Sequence, residues 1–178
     1  ISIVYEDEHV IVMNKPAGIL SQKAQQEDLS LNEWLIGYLL YSEKINKEQL
    51  STFKPSICNR LDRNTIGLVI GAKSLIGSQQ INELISSRKI HKYYRMFVKG
   101  QVLKEETLEG YLIKDERFNR VQLVKNRSEG GGSYIKTRFY PIKQFQDRTL
   151  VEAELITGKP HQIRIHMAST GHPLLGDY

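Results

Sequence analysis

Cysteine is almost missing from this chain: Cys58 is the single one in 178 residues. One thiol forms neither an intramolecular disulfide framework nor a cysteine-rich zinc site, and it suits a reducing compartment, so the expected location is cytoplasmic. In its apolar context Cys58 reads as a small core residue, with nucleophilic use as the other option. No apolar run approaches the eighteen or so residues of a membrane-spanning helix. No charged-then-apolar leader opens the chain. Internal repeats and low-complexity linkers are lacking as well, so nothing marks a cut and residues 1–178 read as one domain. Excess charge is small: 25 Lys and Arg against 20 Asp and Glu leave +5. That fits a nucleic-acid partner without demanding one. The 40% apolar content, arranged periodically, excludes disorder and supplies a substantial core.

Periodicity sets the expected elements. Residues 1–5 and 10–14 are β-rich runs around the polar turn Glu6-Asp7-Glu8-His9, which predicts a hairpin. Ser30 followed by Glu33 has the form of a capping box, after which Leu31, Trp34, Leu35, Tyr38 and Leu39 recur at helical spacing. A strand is expected over 67–72. A helix is expected near 74–88, with Leu75, Ile81, Leu84 and Ile85 on its inner face. The second half reads as strands near 92–99, 107–113, 120–125, 133–145 and 149–156. The run Gly130-Gly131-Gly132 reads as a flexible loop; it is no phosphate cradle, because no G-x-G-x-x-G or GK[ST] pattern follows. Pro160 suits the first turn of a last helix, 160–169, ended by Gly171. The fold class is α+β: a mixed, mainly antiparallel sheet with flanking helices and a central cleft.

The chemistry concentrates at Asn59-Arg60-Leu61-Asp62-Arg63, just ahead of the strand at 67–72. Arginines on both sides favour the ionised carboxylate of Asp62, and the apolar run after it predicts that Asp62 is held at a strand mouth. An ionised, rigidly held Asp is suited to nucleophilic or charge-stabilising work. An isolated Arg-Leu-Asp-Arg is more often a structural ion pair at a strand entrance. On the last helix His161, Arg164, Ile165 and Ala168 fall on one face, so His161 and Arg164 can point together. His161 and His166 differ by roughly 140° around the helix, which disfavours joint metal ligation, and no metal site is expected. Lys159 at the helix start adds charge to free N–H groups, a setting for phosphate contact. Tyr94, Met96 and Val98 share one face of their strand.

Four segments in order resemble the motifs of RluA-type pseudouridine synthases. They are Asn14-Lys15-Pro16-Ala17-Gly18, the Asn59–Leu68 stretch, Lys92–Gly100, and Thr157–His166 followed by Gly171-His172-Pro173-Leu174-Leu175-Gly176-Asp177. One short motif is weak; four in order are specific. Asn59, Ile66, Met96, Lys159 and Pro160 depart from the family's usual His, Ser, Ala, Arg and Thr, which touches RNA contacts more than chemistry. The resemblance implies a pseudouridine synthase fold and cofactor-independent isomerisation of uridine in structured RNA, ribosomal or transfer. It implies Asp62 as the catalytic carboxylate, as nucleophile or base, and Tyr94 stacked on the base. Arg164 is implied to pair with Asp62, and Arg60 to fill the gap left by an extruded nucleotide. Arg63, Asn59, Lys159 and His161 are the remaining expected RNA contacts. An RNA-binding domain without turnover is the alternative. A hydrolase ranks below it, since no second carboxylate stands near Asp62 in sequence. The chain lacks a starting Met and reads as an excised domain, with an N-terminal RNA-binding module expected beyond it.

Overall fold

The structure, a computed structural model, describes residues 1–115, 120–126 and 132–176. Residues Gly130 and Gly131 of the glycine loop, and Asp177 of the last motif, lie outside the described residues. The chain divides into two compact units, Ile1–Lys89 and Ile90–Tyr178.

The first unit opens with β1 (Ser2–Glu6) and β2 (Val10–Lys15), the expected antiparallel hairpin. Asp7 makes the turn: its Oδ1 accepts the backbone N–H groups of His9 at 2.8 Å and Val10 at 2.7 Å. Helix α1 (Leu31–Tyr41) follows, then the short α2 (Gln49–Thr52), β3 (Ser56–Ile57), β4 (Gly67–Ala72) and α3 (Leu75–Ser86). The strand order is β1-β2-β4-β3, with every pairing antiparallel. Alternation puts Ile11, Met13 and Val69 on one face, where Leu31, Leu35 and Leu39 of α1 complete a core with Ile57. Each fully buried leucine contributes about 1.5–3 kcal/mol.

Two local expectations are corrected here. Ser30 is the N-cap of α1, yet its hydroxyl donates to the Glu33 carboxylate and caps no backbone N–H. Leu75 is 57% exposed, so it does not belong to the inner face of α3. What seats that helix is Gly77: a Cβ there would lie 2.4 Å from the His9 carbonyl oxygen. The helix approaches the β1–β2 turn through glycine backbone, which rotates Leu75 outward. Ile81, Leu84 and Ile85 are half-buried.

The second unit contains β5 (Tyr93–Lys99), β6 (Glu106–Asp115), β7 (Arg120–Val124), β8 (Ser133–Gln144), β9 (Arg148–Leu155) and α4 (Gln162–Ser169). Its strands pair antiparallel in the order β5-β9-β8-β6-β7. The α+β class holds, with two antiparallel sheets in place of one mixed sheet. Val98, Phe139, Val151 and Ala153 line the inner face under Met167 of α4. The last helix starts at Gln162, two residues after Pro160, because His161 takes a left-handed conformation with φ 56° and forms the N-cap. Its buried side is Gln162, His166 and Met167, whereas Ala168 is exposed.

Candidate active site

Asp62 lies exposed in the loop between β3 and β4, ahead of the start of β4 at Gly67 rather than at the mouth of that strand. The loop is nevertheless fixed on both sides of it. The Ser21 hydroxyl, on a 4% exposed residue, accepts the Leu61 N–H at 2.9 Å and donates to the Leu61 carbonyl at 2.6 Å. One side chain therefore satisfies both backbone groups of the residue before Asp62. The carbonyl of the residue after it, Arg63, accepts the Gly18 N–H at 2.9 Å and the Lys15 ammonium at 2.9 Å. Leu61 adds its side chain to the edge of the core. The Thr65 N–H closes a turn onto the Asp62 carbonyl at 3.0 Å.

Lys15 is the unexpected member of this arrangement. It is fully buried, and its ammonium donates also to the carbonyls of Pro16 at 2.9 Å and Ile19 at 2.8 Å. Burial pushes its pKa down, while the negative charge of Asp62 pushes it back up. A buried cation with three carbonyl partners satisfies its three donors and ties the Asn14–Gly18 segment to the Asp62 loop. Gly18, at φ 87°, takes the left-handed turn that brings its N–H to Arg63. The sequence motif by itself gives Lys15 no role. The signal for one is the strand period, which places it on the same face as Ile11 and Met13. Ser21 carries no such signal.

Arg60 and Arg63 are exposed on this loop. With Leu61 half-buried between them, Arg60 and Asp62 follow the in-out alternation of an extended segment. Asn59 turns inward: its amide donates to the Leu68 carbonyl at 3.2 Å and its carbonyl oxygen accepts the Ile70 N–H at 2.8 Å. It braces β4 from the loop.

The remaining expected residues belong to the second unit. Tyr94 is half-buried on β5, opposite Ala153 and on the inner face with Met96 and Val98. Lys159 and His161 are exposed at the entrance to α4, and Arg164 is half-buried one turn in. Arg164 Nη1 lies 3.3 Å from His161 Nδ1, so these two do meet as their spacing implies. The turn that presents them is held by Gln162, which is 2% exposed. Its Oε1 accepts the Lys159 N–H at 3.1 Å and the Thr157 hydroxyl at 2.9 Å. Its Nε2 donates to the Lys136 carbonyl at 3.0 Å and the Thr137 hydroxyl at 2.8 Å. All the hydrogen-bonding capacity of the side chain is used to lock the helix start onto β8. His166, fully buried, has Nδ1 2.9 Å from the Thr137 hydroxyl, while its Nε2 has no partner among the described residues. Desolvation alone lowers its pKa to about 4.

The chain therefore combines an exposed carboxylate on a pinned loop, a tyrosine on a sheet face, and a braced cationic turn. A family model described as RNA pseudouridylate synthase matches residues 9–169. The chain is 31% identical over 179 residues to an uncharacterized RNA pseudouridine synthase of Aquifex aeolicus, covering 99% of this chain and 55% of that protein. It is 32% identical over 178 residues to the ribosomal large subunit pseudouridine synthase D of Zymomonas mobilis, with 99% and 55% covered. The chain thus spans about half the length of the curated relatives it matches. Among solved structures, human RNA pseudouridylate synthase domain containing 4 shares the fold, with a TM-score of 0.79 at 22% identity over 98% of this chain and 67% of that one. By a match that covers most of its length, the chain belongs to the RNA pseudouridylate synthase family.

Proposed function

We propose that this chain converts uridine in RNA to pseudouridine, with Asp62 as the carboxylate that acts on the nucleotide. The observation that carries the reading is the mounting of Asp62: an exposed carboxylate whose two neighbours are fixed by Ser21, Lys15 and Gly18. Rigid placement is what converts a reaction between two groups into one within a single complex. A structural ion pair alone would need no such frame.

The isomerisation balances within the uridine. The N1–C1′ bond breaks, the uracil turns while held, and C5 bonds to C1′; the proton of C5 is lost and N1 gains one. No redox change occurs and no second substrate is consumed. Asp62 acts as nucleophile or as base in the glycosidic step. Tyr94 stacks on the uracil, and Arg164 serves the same reaction. Arg60, Arg63, Lys159 and His161 contact the RNA, whose target base must leave its stack at a few kcal/mol. Asn59, engaged with β4, supports the loop. The name of the Zymomonas mobilis relative makes ribosomal RNA the first substrate to test, with transfer RNA second.

The test is tritium release from ribosomal and transfer RNA transcripts labelled at C5 of uridine, with the RNA mass otherwise unchanged. Release, with pseudouridine at a defined position, supports the reading. RNA binding without release would make the chain an RNA-binding domain without turnover, and free uracil would make it a hydrolase; either result overturns it.

A further inference from the structure

The outer face of the second sheet, away from α4, is divided in its electrostatics. Alternation brings Tyr93, Arg95, Phe97 and Lys99 of β5 onto it. Across most of the face each cation meets a carboxylate: Arg95 with Glu152 at 2.9 Å, Lys136 with Glu109 at 3.0 Å, and Arg138 with Glu154 at 3.7 Å. At the β8–β9 hairpin this matching stops. Lys99 stands directly opposite Arg148, and Lys143 lies in the next row, opposite Leu150, which in turn faces Phe97. Among the described residues, none of these three cations forms an ion pair with a carboxylate.

Two of the cations, Lys143 and Arg148, gather around two rings. Phe97 and Phe145 meet edge to face with centroids 5.8 Å apart. The Arg148 guanidinium lies 5.6 Å from each centroid, and the Lys143 ammonium lies 5.3 Å from that of Phe145. Phe97 remains 42% exposed, and Leu175, whose N–H bonds its carbonyl, remains 44% exposed. Folding alone does not ask for this arrangement. Like charges directly opposite one another on paired strands are destabilising, and an exposed phenylalanine leaves apolar area in water. The surface is also held in place. The register slips between Pro141 and Lys143, a bulge that re-aims the strand at Lys143. Gln101 donates to the carbonyls of Phe145 and Gln146, and the Gly100 N–H donates to the Asp147 carbonyl at 2.8 Å.

We propose that this corner is an accessory RNA-contacting surface. An unpaired stretch of the substrate RNA sets its phosphates against Lys99, Lys143 and Arg148 and stacks a base on the exposed ring of Phe97. Charge complementarity selects a polyanion, and the rings select one that carries bases, because every base has a face that stacks on an aromatic side chain. The inference rests on the reading of this chain as acting on RNA.

The test uses the whole chain and a fluorescein-labelled single-stranded oligoribonucleotide of mixed sequence, with affinity read by anisotropy over a range of salt. The K99A/K143A/R148A variant should flatten the dependence of log affinity on log salt by about 2, at about 0.7 for each single-strand phosphate that the variant no longer neutralises. Lys143→Ala alone, the mildest change, should flatten it by about 0.7. Phe97→Leu should weaken binding by about fivefold or more at every salt concentration while leaving the slope unchanged. Far-UV circular dichroism and the thermal midpoint identify folded variants. Wild-type slope and affinity in all three would overturn the surface. So would polyglutamate binding as tightly as RNA with the same dependence on Phe97, which would make the partner an acidic protein. Wild-type chain that binds no RNA would overturn the underlying reading as well.

Discussion

The ammonium of Lys15 donates to the carbonyl of Arg63 at 2.9 Å, joining residues 48 positions apart and fixing the chain immediately after Asp62. This hydrogen bond makes the Asn14–Gly18 segment part of the same device as the Asp62 loop. Lys15→Met keeps the length of the side chain and leaves the carbonyls of Pro16 and Ile19 without their donor, while the carbonyl of Arg63 keeps only the Gly18 N–H. Each carbonyl stranded in this way costs about 1–3 kcal/mol, partly offset because a buried charge is removed with it. Urea unfolding should show a drop in stability of about 2 kcal/mol or more, and turnover should fall further than RNA affinity does. Wild-type turnover in a folded Lys15→Met variant would show that the loop needs no such anchor.

Gln162 plays the corresponding part in the second unit. Gln162→Leu preserves shape and takes one hydrogen-bond partner from each of four groups: the N–H of Lys159, the carbonyl of Lys136 and the hydroxyls of Thr157 and Thr137. The thermal midpoint should drop, and well below that midpoint turnover should still fall, because the turn bearing His161 and Arg164 is loosened. A double-mutant cycle with Arg164→Lys should show non-additive effects; additive effects would limit Gln162 to stability.

Much of this is legible in the sequence, for local reasons. The β1–β2 hairpin, α1 and β4 announce themselves through period and turn chemistry, and the proposed roles of Asp62, Tyr94 and Arg164 rest on their motif positions. Strand partnership is not legible, because choosing β9 as the neighbour of β5 depends on residues some 50 or more positions away. Nor is the rotation of α3, which is set by the approach of Gly77 to His9. The Ser21–Leu61 latch spans 40 positions and involves a residue type with no periodic signal. Lys15 is legible by strand parity, but a lysine invites the assumption of a solvated end.

Acid should act on the two units through different groups. The folded pKa of His166 is about 4 against an ordinary 6.5, so the unfolded chain binds the proton more readily between those values. Stability of the second unit is therefore full above pH 6.5 and is lost as pH falls toward 4, by up to about 3 kcal/mol. Glu6, bonded to Lys44, Lys73 and Tyr38, is lowered from 4.5 to about 2, and its contribution to the first unit is lost only below pH 4.5. His166→Phe, which keeps a ring beside Phe139, should flatten the stability profile between pH 6.5 and 4. An unchanged slope would place the acid sensitivity elsewhere.

Arg60 and Asp62 lie two residues apart in the loop and both are exposed, with Leu61 half-buried between them. Arg60→Ala should slow turnover on a stem–loop RNA far more than on an unstructured oligonucleotide, whose target uridine is already unstacked. Equal slowing on both substrates would assign Arg60 to the charge of Asp62 or to the loop.

The most direct measurement is tritium release by Asp62→Asn, which removes the charge and keeps the shape on a loop held by Ser21 and Lys15. With C5-labelled RNA, turnover should fall by about 10³-fold or more. RNA affinity, read in parallel by anisotropy, should stay close to that of the unaltered chain. Turnover near wild type in this variant would contradict the account.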